Sequence, residues 1–159
     1  MTTSFKSIGI IHTPFRNIEG MPIQSKGSKG IKGTVVLKKE YAGGLLDLDK
    51  FSHIYLIYIF HKSKGFDLHV VPFLDNKPHG IFATRAPKRP NPIGISVVRL
   101  ICIKDNILEI ENVDMLDGTP LLDIKPYISH FDIHAVEKNG WINSQTGYPN
   151  ELNSDERFK

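Results

Sequence analysis

The amino-acid sequence predicts a mainly β protein, an all-β barrel or sandwich with small helical additions. Eight short runs are rich in apolar and β-branched residues, and turn-forming residues separate them. Clean amphipathic helical patterns are absent from the sequence. The chain has 159 residues, of which 40% are hydrophobic, so it can bury the core of one domain. We assign that domain to residues 1–149 and predict a polar tail over residues 150–159.

The predicted elements follow from local patterns. The run 52–61 is nearly all apolar and aromatic, which predicts a central strand covered on both faces. The pair Asp105-Asn106 lies between two apolar runs and predicts a tight hairpin turn. Helical signal is confined to residues 41–49 and 133–138. The remaining predicted strands are residues 7–13, 33–37, 68–72, 80–83, 95–103, 107–113 and 121–127.

Several protein classes are disfavoured by composition. The longest apolar stretch, 54–60, is about a third of the ~20 residues that cross a bilayer, and the N-terminus lacks the pattern of a signal peptide. The single cysteine, Cys102, cannot form an internal disulfide, and its apolar surroundings predict a buried, inert thiol. These features predict a cytoplasmic protein that does not associate with membranes.

The net charge of +3 hides a division along the chain. Residues 1–104 carry 16 basic and 6 acidic side chains, a net +10, and residues 105–159 carry 4 basic and 11 acidic ones, a net −7. The stretch 76–104 contains six cations and no carboxylate, which suits an anionic partner such as phosphate. The alternative is a solvated surface whose charges pair with the acidic C-terminal part.

The most informative segment is the proline-rich stretch that follows Thr84. Pro87, Pro90 and Pro92 remove backbone donors and fix φ, which predicts a rigid connection between two strands for residues 85–94. Such a loop would hold Arg85 and its neighbouring cations in fixed positions, as recognition of a carboxylate or phosphate requires. The alternative is a structural turn with incidental charges.

A second unusual segment covers residues 114–127. Asp117-Gly118-Thr119-Pro120 is typical of a turn, and strand alternation beyond it places Asp123, Lys125 and Tyr127 on one face. A carboxylate, an ammonium and a phenol in one row can influence one another's protonation and act on a proton. The alternative is an exposed strand face with a salt bridge.

Other signatures are weak. The glycine-rich segment 27–33 fits neither a dinucleotide-binding nor a P-loop pattern, and a mobile basic loop is the favoured interpretation. Among the seven histidines, His130 and His134 are the pair with helical spacing, and with no third ligand in view the sequence predicts no metal site.

These two segments give the sequence a specific resemblance to a known family. Ala83-Thr84-Arg85, then 89–94 (RPNPIG), then 117–120 (DGTP) and 123–127 (DIKPY) resemble, in order and spacing, the TsaA-like (TrmO) family of S-adenosylmethionine-dependent tRNA N6-methyltransferases. The resemblance extends over residues 5–130, through 8–15 and 51–58. It implies a single-sheet β-barrel, a homodimer with the cofactor near the subunit interface, and N6-methylation of threonylcarbamoyladenosine in the tRNA anticodon loop, at position 37.

The resemblance also implies which residues contact S-adenosylmethionine. Many relatives have a basic residue where Ile23 stands and a glutamine where Lys62 stands, changes that backbone contacts would survive. The implied cofactor contacts are Pro22, Ile23, Gln24, His61, Lys62, Arg85, Ile95, Asp117, Gly118, Thr119 and Pro120.

Chemistry assigns roles to further residues. Because the nucleophilic nitrogen must lose its proton, we expect Asp123 to accept or relay that proton, with Lys125 or Tyr127 tuning it. The cations expected to contact the tRNA backbone are Lys26, Lys29, Lys32, Lys88 and Arg89. The alternative functions are a non-catalytic RNA-binding or S-adenosylmethionine-binding module and, less favoured, a metal hydrolase that uses the histidines.

Overall fold

Six antiparallel strands close into a single β-barrel in the computed structural model, which describes residues 3–142 and residue 155. The barrel strands are β1 (Gly9–His12), β2 (Lys32–Leu37), β3 (His53–Ile59), β6 (Ile93–Lys104), β7 (Ile107–Glu111) and β8 (Thr119–Pro126). Their order around the barrel is β1-β2-β7-β6-β3-β8, and β8 pairs back with β1. This confirms the single-sheet β-barrel. The polar tail predicted for residues 150–159 lies outside the described residues except for Asp155.

A small lobe interrupts the barrel between β3 and β6. It contains a two-stranded sheet of β4 (His69–Val70) and β5 (His79–Gly80), followed by a 3₁₀ helix, Ile81–Ala83. A second apolar cluster of Val70, Ile81 and Ala86 holds this lobe together. The lobe therefore positions the proline-rich loop that leads into β6.

The barrel interior follows the strand alternation. In β3, buried residues alternate with half-buried ones, as expected when one face of a strand points to the core. The core consists of side chains from every barrel strand, from the segment between β7 and β8, and from Leu45, which ends the 3₁₀ helix Lys39–Leu45. Its fully buried members include Ile11, Val35, Ile54, Leu56, Val98, Leu108, Ile110, Val113 and Leu121.

Two strand predictions need correction. The run 80–83 contains only the last residue of β5, because a 3₁₀ helix begins at Ile81. The carbonyl of Ile81 accepts hydrogen bonds from the backbone N–H and the hydroxyl of Thr84. Among residues 3–142, β3 is covered on its inner face only, because a barrel wall has an outer face, and Tyr55, Ile57 and Ile59 on that outer face are half-buried.

The thiol prediction is also wrong, because Cys102 is exposed. The β6–β7 pairing shifts between Leu100 and Cys102, so the inward and outward alternation breaks there. The hairpin at Asp105-Asn106 is confirmed, with Asp105 at φ 55°.

The helices are short. The prediction for residues 41–49 is confirmed as two 3₁₀ helices, Lys39–Leu45 and Leu48–Lys50, and another lies at Ser25–Ser28. The helix predicted for 133–138 is wrong: α1 spans Ser129–Asp132, and Ile133 is already extended. His130 and His134 are thus not a helical pair. No helix in the described part of the chain is long and apolar enough to cross a membrane.

Candidate functional site

Arg85 contacts Gln24, so the structure joins two segments predicted to bind the cofactor. Arg85 is exposed at the start of the proline-rich loop, and its Nη1 donates to Gln24 Oε1 at 3.1 Å. Gln24 immediately precedes the 3₁₀ helix Ser25–Ser28. A guanidinium has several further N–H donors in a planar fork, which suits a carboxylate.

The loop that carries Arg85 is built around Arg89. The guanidinium of Arg89 donates from Nη1 to the carbonyls of Ile81 at 3.0 Å and Thr84 at 2.8 Å, and it lies 5.8 Å from the centre of the Phe82 ring. The Ser63 hydroxyl also donates to the carbonyl of Pro87 at 3.1 Å. This confirms a non-ladder connection for residues 85–92, whereas Ile93 and Gly94 of the predicted stretch already pair with β3 as the start of β6. The Arg89 charge is used inside the loop.

Behind Arg85, a polar network crosses the end of the barrel. Tyr58 Oη lies 3.0 Å from Ser96 Oγ, which donates to Asp114 Oδ1 at 2.6 Å. Because the single proton of Ser96 goes to Asp114, Tyr58 is the donor to Ser96. Burial raises the pKa of Asp114 to about 6, although the hydrogen bond from Ser96 opposes that rise.

His61 contacts the first residue of β8. Its Nδ1 lies 3.4 Å from the buried Thr119 Oγ1, which donates to the carbonyl of Leu116 at 2.7 Å. Burial, with a smaller effect of the Lys62 ammonium, lowers the pKa of His61. His61 and Thr119, which are both predicted to contact the cofactor, are therefore adjacent.

The carboxylate of Asp117 forms hydrogen bonds with residues at the end of β1. It accepts a bond from the Thr13 backbone N–H at 3.2 Å and pairs with His12 Nδ1 at 3.1 Å. The Thr13 hydrogen bond, followed by His12, lowers the pKa of Asp117. The Gly118 N–H is also used, since it donates to the carbonyl of Ile11. Any ligand contact by these two residues would have to use other atoms.

The remaining predicted cofactor residues are dispersed. Pro22 is buried, and Ile23 is half-buried beside Gln24. Lys62 donates to the carbonyl of Arg16 at 3.4 Å. Ile95 lies on the outer face of β6 and is 53% exposed, facing away from the core. Pro120 is half-buried in β8, opposite Ile10 of β1.

The row of Asp123, Lys125 and Tyr127 is only partly assembled. Lys125 Nζ lies 2.9 Å from Asp123 Oδ2, and both side chains are substantially exposed. The Tyr127 ring packs instead against Tyr55, with ring centres 5.5 Å apart. The structure thus shows the expected ion pair without a contact from the phenol.

The predicted nucleic-acid contacts divide into two groups. Lys26, Lys29 and Lys32 are exposed along one segment. That segment is anchored, because the Gly30 N–H donates to Asn112 Oδ1 at 3.0 Å and Ser28 is fully buried, so a mobile loop does not fit these contacts. Lys88 instead lies 3.9 Å from Asp67, and Arg89 is used within its loop.

The stretch 76–104 contains no carboxylate of its own, but carboxylates elsewhere in the chain pair with part of its positive charge. Arg99 pairs with Glu111 of the neighbouring strand at 3.3 Å, in addition to the Lys88–Asp67 contact.

In the part of the chain that the structure describes, no three His, Cys, Asp or Glu side chains group as a metal site would require.

Comparison with known proteins decides the family. The family described as tRNA-methyltransferase O N-terminal domain matches residues 10–133. The chain belongs to this family. The match runs from the second residue of β1 past the end of β8, and it includes the proline-rich loop and residues 117–120.

The relatives of this chain carry two kinds of name. A probable S-adenosyl-L-methionine-binding protein of Pyrococcus abyssi is 51% identical over 97% of this chain and 84% of its own length. The tRNA (adenine(37)-N6)-methyltransferase of Escherichia coli is 38% identical over 78% of this chain and 57% of its own length. The crystal structure of TrmO from Pseudomonas aeruginosa superimposes with a TM-score of 0.76 and 36% identity, covering 90% of this chain and 64% of that one.

Sequence reasoning missed the polar network of this family member. Tyr58, Ser96 and Asp114 were not among the predicted site residues, although all three lie within segments that the sequence singled out. The available signal was Ser96, a hydroxyl at an inward position of an otherwise apolar strand, which needs a buried partner.

Proposed function

We propose that this chain binds S-adenosylmethionine and transfers its methyl group to an adenine of tRNA. The finer part of the proposal is N6-methylation of threonylcarbamoyladenosine at anticodon-loop position 37, with the cytoplasm as the proposed location of the protein. The observation that carries the proposal is the Arg85–Gln24 contact, which joins two separate segments implied in cofactor binding and holds a cation at the surface. Membership of the tRNA-methyltransferase O family supports it.

The residues present fit the cofactor. S-adenosylmethionine has a carboxylate, for which Arg85 supplies the cation, and an adenine, whose ring faces can pack on the apolar surface of Ile23 and Ile95. Bound there, it would supply a methyl group on a sulfonium. The protein's task is then to hold the acceptor nitrogen in line with that group, and positioning of this kind can lower the barrier by ~7 kcal/mol or more in favourable cases.

Asp123 is the candidate proton acceptor. β3–β8 pairing places it opposite Ile57, and β3–β6 pairing places Ile57 opposite Ile95, so Asp123 and Ile95 are about 10 Å apart on one outer surface. The ion pair with Lys125 at 2.9 Å holds the Asp123 side chain on this surface, where it is accessible to an acceptor.

Titration calorimetry of the purified protein with S-adenosylmethionine tests the binding step. We expect Arg85→Ala to weaken binding by about 10- to 100-fold, as for loss of a charge-assisted hydrogen bond. Arg99→Ala, which removes an exposed arginine paired with Glu111, is the matched control and should bind normally. Equal affinities for the two variants would contradict the role of Arg85.

Nucleoside mass analysis of tRNA incubated with the protein and S-adenosylmethionine tests the reaction. We expect the wild type to add one methyl group to threonylcarbamoyladenosine and the Asp123→Asn variant to add none. Tyr127→Phe should remain active, because the phenol packs on Tyr55. Normal single-turnover methylation by Asp123→Asn would rule out this residue as the proton acceptor.

A binding module without catalysis is the second candidate, because the relative from Pyrococcus abyssi is named only as a probable S-adenosyl-L-methionine-binding protein. It predicts normal cofactor binding and no transfer of the methyl group to any tRNA. The two measurements above separate these functions.

The exposed segment with Lys26, Lys29 and Lys32 is the proposed contact for the tRNA backbone. These ammonium groups lie close in sequence to Gln24, on a segment anchored by Ser28 and Gly30, so they would present positive charge beside the cofactor site. Phosphate neutralisation makes such binding fall with rising salt concentration.

We also propose that the chain forms a homodimer through the outer face of β3 and β6. Strand pairing places Tyr55, Ile57 and Ile59 beside Val97, Ile95 and Ile93, which gives one continuous apolar surface. A second copy of the chain would cover this surface and bring Ile95 to the subunit interface. This arrangement would explain why β3 is apolar on both faces.

A further inference from the structure

Trp141 fastens the C-terminal part of the described chain to the small lobe. Its indole Nε1 donates to the carbonyl of Ala83 at 2.8 Å. Its ring stacks on the imidazole of His79, with ring centres 4.4 Å apart and ring planes inclined by 19°. Residue 141 lies beyond residues 10–133, which the family matches, so membership of the family does not account for this contact.

The imidazole that stacks on Trp141 has a fixed orientation. His79 Nε2 lies 2.8 Å from Asp75 Oδ2, and the two side chains are only 18% and 26% exposed. Asp75 Oδ1 accepts a hydrogen bond from the backbone N–H of Asn76 at 2.7 Å, which holds the carboxylate. A ring held in this way gives the indole a defined surface to stack on.

A tight turn presents the indole to the lobe. The backbone N–H of Ile142 donates to the carbonyl of Asn139 at 3.3 Å, and Gly140 has a φ of 64° within this turn. Glycine adopts such a left-handed conformation without steric cost. Local structure therefore sets both the indole and the ring that it stacks on.

The carbonyl that Trp141 holds belongs to the peptide group between Ala83 and Thr84. The N–H of the same peptide group donates to the carbonyl of Ile81 at 3.1 Å, so both of its polar atoms are engaged. Arg85, whose guanidinium donates to Gln24, is the next residue along the chain. Without the indole N–H, the peptide group would lose the bond at its carbonyl, and its rotation would redirect the Arg85 side chain.

We propose that Trp141 is a positioning residue that fixes the Ala83–Thr84 peptide group and thereby holds Arg85 in the geometry that binds the cofactor. Its effect on cofactor affinity rests on the proposed function, whereas its effect on the peptide group does not. Trp141 acts through Ala83 and touches neither substrate nor cofactor in this role.

Amide hydrogen exchange of the cofactor-free protein, followed by NMR, tests the effect on the peptide group. In Trp141→Ala we expect the Thr84 amide to exchange about tenfold faster, as for loss of one supporting hydrogen bond. Trp141→Phe keeps a ring for His79 and removes the donor, so its Thr84 exchange should lie between those of the wild type and Trp141→Ala.

The Thr13 amide, which donates to Asp117 in the barrel, should be unchanged in both variants and shows that the barrel is folded. Phe131→Ala is the matched control, because it removes an aromatic ring that is 71% exposed at the same end of the chain. If Trp141→Ala loses the protection of Thr13, Trp141→Phe decides. Thr84 exchange as slow as in the wild type would overturn the proposal.

A double-mutant cycle for binding of S-adenosylmethionine, measured by titration calorimetry, tests the effect on the cofactor. We expect Trp141→Ala to weaken binding about three- to tenfold, and to have no further effect when Arg85→Ala is already present, because it acts through that guanidinium. Phe131→Ala should bind normally.

Two results would overturn the positioning role. One is additivity between Trp141→Ala and Arg85→Ala, and the other is tighter binding by Trp141→Ala, which would make the indole an inhibitory contact. A wild type that binds no cofactor would instead refute the proposed function and leave the exchange result standing.

Discussion

Gly94 shows at the scale of a single residue how closely the polar network is packed. A Cβ at this position would lie 2.3 Å from Cε2 of the Tyr58 ring and 2.9 Å from the Phe60 ring. Tyr58 is buried and donates to Ser96, so its ring cannot move without disturbing the bond to Asp114. The glycine is required here by close approach of a neighbouring strand.

We predict that Gly94→Ala lowers the free energy of unfolding by about 1–3 kcal/mol, as for overpacking of a core. Urea denaturation measures the effect. Gly44→Ala is the control, because nothing lies within 4 Å of a Cβ at that position. A Gly94→Ala protein as stable as the control would mean that Tyr58 is free to move.

Lys29 and Arg89 are both predicted from the sequence to contact tRNA, but we expect their substitution to have different effects. Lys29→Ala removes an exposed charge and should reduce the slope of log affinity for tRNA against log salt by about 1. Arg89→Ala should leave that slope unchanged and lower the melting temperature, because Arg89 supports the carbonyls of Ile81 and Thr84. A reduced slope in Arg89→Ala would instead place its guanidinium on the RNA.

At the scale of elements, Asp117 ties the end of β1 to the turn before β8. Its carboxylate accepts the Thr13 N–H and pairs with His12, while backbone bonds from Asp117 to Phe15 and from Gly118 to Ile11 hold the same junction. The turn is thus fixed by the barrel before any ligand is present.

This junction predicts a pH dependence of stability. The pKa of Asp117 is lowered on folding, so its contribution is present above the unfolded value near 3.8 and is lost as pH falls through the folded value. We expect the wild type to be more stable than Asp117→Asn at about pH 6 and the difference to shrink towards about pH 2. Urea unfolding at both pH values measures it, and a difference independent of pH would contradict the prediction.

At the scale of the whole molecule, the apolar outer face of β3 and β6 determines the expected assembly. We predict that Ile93→Glu produces monomers, because two-fold symmetry would bring like charges together in an interface that excludes water. Ile101→Glu is the matched control, since both isoleucines are on β6 and each is 39% exposed. Light scattering coupled to size-exclusion chromatography gives the mass of each variant, and a dimeric Ile93→Glu protein would exclude this interface.

Local patterns predicted much of the fold. The barrel strands β1, β2, β3, β6, β7 and β8 fall within or beside predicted runs, because alternation of apolar residues and turn chemistry are local properties. The helix at 133–138 failed because a four-residue α-helix, Ser129–Asp132, carries too little periodic signal to locate. Burial of Cys102 failed because the β6–β7 register shift depends on the partner strand.

The sequence by itself determined the strands, the fixed proline-rich loop and the family motifs, since each depends on residues close along the chain. Only the tertiary structure decided what each polar side chain is bonded to. Barrel closure brings Tyr58, Ser96 and Asp114 together, and it uses Arg89 and Asp117 to hold the backbone while Arg85 remains at the surface. Hydrogen bonding depends on distance in space, and strand pairing sets that distance.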